Sequence, residues 1–222
     1  MEEARWLGRQ LATMNAVDVF PLLDVGSSTE DFRTRQQPWI EKEIFAPLRG
    51  RGTIAHLDAK AEQGVDIVAD LEDPAVVEDL ARRGFKSVFC SNLLEHVNDP
   101  SRMAGTLLEI VPEGGYLFLS CPYRYPYHPD PIDNRFRPSP AELAGLFPGT
   151  RLLHQAVVKN GRFVDEIRHA PYDFARLLLR FLIPFYRPAS WRDTARYLAW
   201  RLPWTFRRFE ATCIVLARGQ GR

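Results

Sequence analysis

The chain contains 222 residues, of which 45% are hydrophobic and 26% are charged, and its formal net charge at pH 7 is +1. These values are ordinary for one globular domain that buries a core. The balanced charge excludes a chain-wide basic or acidic signal for nucleic acid or for an acidic substrate.

Short apolar runs alternate with proline-led helical segments between residues 20 and 121. Residues 1–16 have helical apolar spacing and predict an N-terminal helix. Further helices begin at Pro38, Pro74 and Pro100, because proline favours the first helical turn. The predicted strands cover residues 20–25, 53–58, 65–71 and 116–122, with another at 86–97 that runs into a loop. Strands that are apolar on both faces and alternate with helices indicate a parallel sheet covered on both sides, in one domain over residues 1–222.

The last third of the chain has a different pattern. Residues 151–163 and 210–218 predict two final strands, which we interpret as an antiparallel pair separated by an insert at residues 168–208. The insert is basic and aromatic, with eight Arg and two Asp between residues 172 and 208. A helix in it places apolar side chains on one side and Arg176 and Arg180 one turn apart. The apolar set is Phe174, Leu177, Leu178 and Phe181. Two interpretations remain open: a lid or dimer face, or a surface for an anionic membrane or a lipid-linked acceptor.

Cysteine usage and the chain start bear on the compartment. Three cysteines lie far apart in apolar runs, which favours buried thiols in a reducing environment over disulfides: Cys90, Cys121 and Cys213. The sequence "MEEARWLGRQ" has no basic flank followed by an apolar run, and no stretch reaches about 18 apolar residues. We therefore expect a cytoplasmic protein, with peripheral membrane contact through residues 168–208 as the alternative.

The stretch "FPLLDVGSST" ends the first predicted strand in a glycine turn, the place where open α/β sheets bind ligands. A diphosphate is disfavoured there, because Glu30 and Asp31 occupy the helix start and the G-x-G-x-x-G spacing is missing. NAD and FAD are therefore disfavoured, because their diphosphate would meet these carboxylates. A ligand carrying an amino group or a sulfonium cation suits the turn better, since Asp24 can accept from it while Gly26 and Ser27 offer backbone N–H groups to a carboxylate.

A structural interpretation of the same turn stays open. Ser28 or Thr29 can serve as the N-cap of the following helix, with Asp31 near the capping-box position. The next two strand ends favour the ligand interpretation. A carboxylate at Asp58 can grip both hydroxyls of a ribose, and Asp70 with Leu71 can hold an adenine, although an Asp at a strand end is often turn chemistry alone.

These segments, in this order and spacing, resemble the class I S-adenosylmethionine-dependent methyltransferases of the group with an "LEHV" motif, the type 11-like group. The resemblance rests on "LLDVGSST", "IAHLDA", "VADLED", "FCSNLLEHVNDP" and "PEGGYLFLSCP" and covers about residues 20–150. It implies a Rossmann-like, doubly wound, mostly parallel seven-stranded sheet with an antiparallel final strand and a helical insert near the C-terminus. Ser28 and Glu30 stand where the family has its second and third glycines.

The resemblance also implies S-adenosylmethionine as the cofactor and assigns its contacts. Asp24 and Gly26 would border the methionine part and Asp58 the ribose. Asp70 and Leu71 would border the adenine, and Asn92 would lie near the transferred methyl group.

The loop "CPYRYPYHPDPIDNRFRPSPAEL" follows the fifth strand and, in similar methyltransferases, faces the acceptor. His128 is the candidate general base and Asp133 its orienting partner, because a neutral imidazole is available near pH 7. The acceptor-side candidates are His96, Tyr123, Tyr125, Tyr127 and Arg135, with Arg137 as an alternative to Arg135 for holding an anionic group. Two structural interpretations stay open: the loop residues can simply lock the loop to the sheet, and His96 can be a packing residue. A metal site is disfavoured, because "HPDPID" has too few ligands.

The sequence thus predicts a methyltransferase that modifies an oxygen or nitrogen of a small or lipid-linked acceptor, with a glycan as one candidate. The alternative is a methyltransferase-like protein that binds the cofactor or a partner without catalysis. An NAD-dependent oxidoreductase is disfavoured by the acidic helix start. No nucleic acid or metal is expected, and a homodimer remains open.

Overall fold

One mixed sheet organises the part of the chain that this computed structural model describes, residues 1–128, 132–169, 171–183 and 188–219. Its strands follow the order β3-β2-β1-β4-β5-β7-β6. Strands β1 to β5 pair in parallel, whereas β7 runs antiparallel to both β5 and β6. The strand bounds are β1 Leu22–Val25, β2 Ile54–Asp58, β3 Ile67–Val68, β4 Ser87–Ser91, β5 Tyr116–Arg124, β6 Thr150–Arg162 and β7 Arg208–Arg218. The predicted fold class is confirmed, and β3 is shorter than the sequence pattern indicated.

Helices cover both faces of the sheet. Helices α4 and α5 begin at proline, as the sequence predicts. Asp73 caps α4 by accepting from the Ala75 N–H, and Asp99 caps α5 by accepting from the N–H groups of Ser101 and Arg102. The helix predicted from Pro38 is a short α-helix followed by a π-helical turn at Glu41–Phe45 and a 3₁₀ turn at Ala46–Leu48. The α-helix bounds are α1 Glu2–Thr13, α2 Ala16–Val19, α3 Pro38–Ile40, α4 Pro74–Arg82, α5 Pro100–Ile110, α6 Pro140–Gly145, α7 Phe163–His169, α8 Pro171–Leu182 and α9 Pro188–Arg201.

Alternation along the strands builds two apolar cores. Leu23, Val88 and Leu117 face the core under α4 and α5. Their neighbours Leu22, Phe89 and Phe118 face the opposite core, where Leu7 and Leu11 of α1 pack. Because side chains alternate with a period of two, Asp24 shares the α1 face with Leu22. The N-terminal helix therefore lies over the face that carries the polar end of β1.

The segment between β6 and β7 contains α7, α8 and α9. Residues 170 and 184–187 of this predicted insert lie outside the described residues, as do residues 129–131 of the loop after β5. Phe181 of α8 stacks on Trp191 of α9 with ring centroids 6.0 Å apart, so the predicted apolar side of α8 packs in part against α9. None of the described helices combines the length and the apolarity that crossing a bilayer requires.

Candidate functional site

The turn after β1 bends through two left-handed residues, Gly26 with φ +70° and Ser28 with φ +54°. The N–H groups of Gly26 and Ser27 both donate to the carbonyl of Leu57, at 2.9 and 3.0 Å. These two N–H groups extend the contact between β1 and β2. They are therefore not directed at a ligand carboxylate, which corrects the role predicted for them: Gly26 and Ser27 shape the turn.

Arg33 is buried and stabilises this turn, a role that no sequence motif predicts. Its guanidinium is buried and donates to the carbonyls of Ser27, Ser28 and Gly64 at 3.0, 2.7 and 2.7 Å. One cation thus ties the turn after β1 to the loop after β2. A buried cation with carbonyl partners was not recognisable in "EDFRTRQQP", where each Arg reads as a solvated helix residue.

Asp24 is buried and pairs with His56 of β2, with 2.7 Å between Oδ2 and Nδ1. Burial raises the pKa of Asp24, and the His56 contact opposes that shift. Asp24 Oδ2 is thus engaged by an imidazole, and the predicted role of Asp24 as an acceptor for a ligand amino group stays a prediction that relies on its remaining acceptor positions. No sequence pattern predicts that His56, in the middle of an apolar strand, pairs with this carboxylate.

Asp24→Asn is expected to gain stability relative to the unmodified protein as the pH rises. A carboxyl whose folded-state pKa is raised supports folding fully below its unfolded pKa of about 3.9 and loses that support as the pH rises towards the folded value. The amide cannot ionise and still accepts a hydrogen bond from His56. Urea unfolding of both proteins from pH 4 to 8 measures the difference in unfolding free energy, and a difference that is constant with pH would contradict this account.

The other two acidic strand ends differ in setting. Asp58 accepts from the Ser28 N–H at 2.8 Å and from the Lys60 N–H at 3.0 Å, so it joins the β1 turn to the end of β2. Asp70 is exposed and accepts from the Glu72 N–H at 2.9 Å, which is the turn chemistry left open above. Leu71 is buried in the core under α4 and α5. Asp58 is thus tied to the glycine turn, whereas Asp70 is not.

Two clefts of about 300 Å³ lie beside the β2–β3 side of the sheet. One is lined by residues of β3 and α4, and the other by the turn around Gly50 together with Phe45 and His56. Neither is lined by Asp24, Asp58 or Asp70. We therefore assign the candidate site from the residues at the strand ends and not from either cleft.

The N-terminal helix reaches the end of β4, which the sequence did not indicate. Asn92 follows β4 with φ +52° and donates through Nδ2 to Oε1 of Glu3 at 2.8 Å. Ser120 of β5 donates to the same oxygen at 2.6 Å. The carboxylate of Glu3 therefore lies over the edge where Asn92 was predicted to face the methyl group.

The loop after β5 is organised by Asp133. This buried carboxylate accepts from the N–H groups of His128 and Arg135 at 3.0 and 2.8 Å and from Arg137 at 2.6 Å. Burial opposes ionisation of Asp133, but these hydrogen bonds hold its pKa below the usual value. Its distance to the His128 ring, 3.3 Å to Nδ1, is longer. Asp133 therefore mainly locks the loop backbone, the structural role left open above.

The aromatic residues of this loop surround His128 unequally. Tyr125 lies against the His128 ring with centroids 4.9 Å apart, and His96 lies 5.1 Å from it on another side. Tyr127 instead packs on Trp200 of α9 and under the guanidinium of Arg135. Tyr123 is half-buried beside Arg124. The structure thus brings together His96, Tyr125 and His128, and it places Tyr127 and Arg135 at the contact with the insert.

Glu95 is the residue that sequence reasoning left without a role. Its side chain is fully buried, and neither carboxylate oxygen has a hydrogen-bond partner among the described residues. Burial raises its pKa to about 8. Nε2 of His96 lies 3.7 Å from its Oε1.

No protein family and no curated protein sequence matches this chain. Several solved structures match it. Coclaurine N-methyltransferase bound to N-methylheliamine and SAH matches with a TM-score of 0.59 at 12% identity, over 95% of this chain and 68% of that chain. A protein from Galdieria sulphuraria, provisionally named a sarcosine dimethylglycine methyltransferase, matches at 0.56 and 14%, over 97% and 85%. MccD protein matches at 0.55 and 14%, over 98% and 97%.

The chain has the class I methyltransferase fold. Within that fold, Ser28 stands where the family resemblance places the second glycine, and its φ of +54° lies in the left-handed region that favours glycine. A residue with a Cβ is strained in this region, whereas glycine is not. The turn after β1 is therefore formed at some cost in conformational energy.

Ser28→Gly is expected to stabilise the protein by about 0.5–1 kcal/mol, because relief of the left-handed strain outweighs the added freedom of the unfolded chain. Ser27→Gly is the matched control, since Ser27 is buried and is not among the left-handed residues. The control should lose stability by about 0.5–1 kcal/mol. Denaturant unfolding of the three proteins measures both changes, and equal effects of the two substitutions would refute the strain argument.

Proposed function

We propose that this protein is an S-adenosylmethionine-dependent methyltransferase. The observation that carries the proposal is the link between two strand ends on the methyltransferase fold: a left-handed turn after β1 whose Ser28 N–H donates to Asp58 at the end of β2. In open α/β sheets this is the edge where nucleoside ligands bind. The similar structures include one bound to SAH, which supports the same ligand class here.

Asp58 retains the capacity to hold a ribose. An ionised carboxylate offers about four acceptor positions on two oxygens, and the backbone N–H groups of Ser28 and Lys60 use two of them. Two ribose hydroxyls can donate to the remaining positions while the turn stays fixed. The contacts that shape the turn are thus compatible with a bound adenosine.

Methyl transfer makes modest demands on the protein. The acceptor displaces a neutral thioether from a sulfonium methyl group, so holding the acceptor in line supplies much of the rate enhancement. We assign the acceptor side to the face formed by His96, Tyr125 and His128. Burial lowers the pKa of His128, so its imidazole is neutral at pH 7 and can take a proton from an oxygen or nitrogen acceptor.

Calorimetry with SAH and, separately, with NAD tests the proposed ligand class. We expect saturable binding of SAH and none of NAD, and binding of NAD alone would overturn the proposal. Transfer of tritium from methyl-labelled cofactor into a cell extract then tests catalysis. His128→Ala should lower transfer and leave SAH affinity unchanged.

A second candidate function is a methyltransferase-like protein that binds cofactor without transferring a methyl group. The observation that favours it is the carboxylate of Glu3, which occupies the hydrogen-bonding groups of Asn92 and Ser120 at the predicted methyl side. Under this alternative SAH binds but labelled methyl groups reach no acceptor. The two assays above therefore separate the candidates.

We infer that the methyl acceptor is lipid-linked, and the exposed surface of α8 supports this inference. Leu179 and Leu182 of this helix are 59% and 65% exposed, beside exposed Arg176 and Arg180. A basic, amphipathic surface of this kind suits an anionic membrane.

Replacing Leu179 and Leu182 by Glu should abolish sedimentation with anionic liposomes, because charged side chains resist transfer into the acyl region. Val17→Glu, at a 71% exposed position on α2, is the control and should sediment like the unmodified protein. Sedimentation that is equal for all three proteins would exclude α8 as a membrane surface.

A further inference from the structure

We propose that Glu95, His96 and His128 form a binding site for one divalent transition-metal ion, of the zinc, manganese or ferrous class. Each of the three residues offers one ligand atom, and these atoms all lie within 4.8 Å of one another. Two imidazole nitrogens and one carboxylate oxygen are a donor set used by catalytic zinc and non-haem iron sites. The cluster joins two segments, the turn after β4 and the loop after β5.

The unpartnered carboxylate of Glu95 is the independent observation that points to a cation. Burying a carboxylate without hydrogen bonds is costly, and native proteins rarely leave both oxygens unsatisfied. Neither oxygen of Glu95 finds a partner in the part of the chain described, although His96 Nε2 is only 3.7 Å away. A metal ion in this position would satisfy the carboxylate.

Both histidines are oriented as metal ligands usually are. His96 Nδ1 makes a hydrogen bond to the carbonyl of Ile132, and His128 Nδ1 lies 3.2 Å from the carbonyl of Pro126. A ring that donates from Nδ1 carries its lone pair on Nε2, where it is available to a metal, and such second partners are typical of ligating histidines. Side-chain exposures of 20% and 25% leave a path for the ion.

The surrounding loop holds the two ligand segments together. Asn134 donates through Nδ2 to the carbonyls of Leu94 and Val97 at 2.8 and 2.7 Å, and its N–H donates to the carbonyl of Glu95. The nearby cation Arg137 is paired with Asp133, so its charge is compensated. Bringing the ligand atoms to the spacing of a zinc site, roughly 3.4 Å for bonds of about 2.1 Å, needs side-chain movement of about 1 Å.

This arrangement explains why the sequence predicted no metal. The segment "HPDPID" alone has too few ligands, whereas Glu95 and His96 come from a segment more than 30 residues earlier in the chain. Three protein ligands leave open coordination positions, which an acceptor oxygen or nitrogen can occupy. The lone pair of His128 Nε2 cannot serve both a metal and a proton, so metal binding would replace its role as general base.

The test uses the full chain after EDTA treatment, titrated calorimetrically with Zn²⁺, with visible absorption of bound Co²⁺ as a second readout. We expect one Zn²⁺ per chain, and at least tenfold weaker binding in Glu95→Gln and in His128→Gln. His154→Ala is the control, because His154 is exposed on β6 and should not affect binding. Mg²⁺ should not compete, since it prefers oxygen ligands.

Stoichiometric binding that both ligand substitutions leave unchanged, or no binding by the unmodified chain, would overturn the proposal. Circular dichroism checks that each variant is folded. If Glu95→Gln fails to fold, His128→Gln at the half-buried position decides. Metal binding is read without methyl transfer, so this proposal and the proposed enzymatic function can fail separately.

Discussion

Asp58→Ala is expected to weaken SAH binding by about 1–3 kcal/mol, which corresponds to roughly a 5- to 150-fold increase in Kd. The substitution removes the acceptor for the backbone N–H groups of Ser28 and Lys60 and, under the proposed function, the acceptor for both ribose hydroxyls. It thus acts on the ligand directly and on the turn that borders it. Calorimetric titration with SAH measures the change in affinity.

The control has to separate these two effects. Asp66→Ala removes a carboxylate that also accepts a backbone N–H from β2, that of His56 at 2.8 Å, but lies outside the β1 turn. It should lower the free energy of unfolding by a comparable amount and leave the Kd for SAH unchanged. If Asp58→Ala binds SAH as tightly as the unmodified protein, Asp58 does not contact the ligand.

The sheet could be predicted from sequence because its signals are local. Strands such as Leu22–Val25 and Ser87–Ser91 are mostly apolar and buried, and helices α4 and α5 begin at proline with an Asp cap. Each of these features follows from residues a few positions apart. The family resemblance implied seven strands and an antiparallel final strand, and the structure agrees with both.

The polar contacts of the site could not be predicted, because they join distant parts of the chain. Asp24 meets His56 across two strands, and Glu3 reaches Asn92 from the N-terminal helix. Arg33 is buried because three carbonyls converge on it, and no local pattern records that convergence. For the same reason the cluster around Glu95 could not be predicted, because its two histidine neighbours come from different segments.

Ser28 is the position where sequence and structure inform each other. The family resemblance flagged it as a missing glycine, and the backbone shows the reason in its positive φ. Its N–H donates to Asp58, so the residue that carries the strain also joins the turn to the end of β2. A glycine at this position is therefore expected to change the stability of the turn.

Gly8→Ala is expected to destabilise the protein by about 1–3 kcal/mol, although alanine is favoured over glycine inside a helix by about 1 kcal/mol. Gly8 lies in the middle of α1, and a Cβ there would be 1.9 Å from the backbone carbonyl oxygen of Glu43. Backbone cannot rotate away as a side-chain end can, so α1 would have to shift from the π-helical turn at Glu41–Phe45. That shift would also draw Glu3 away from Asn92.

Gly105→Ala provides the matched control. Gly105 lies inside α5, and a Cβ at this position meets no atom within 4 Å. The control should therefore gain about 0.5–1 kcal/mol from helix propensity alone. Urea unfolding of both variants gives the two changes in unfolding free energy, which should have opposite signs. Stabilisation by both substitutions would show that α1 does not pack against this turn through Gly8, and the position of Glu3 over the end of β4 would lose its structural basis.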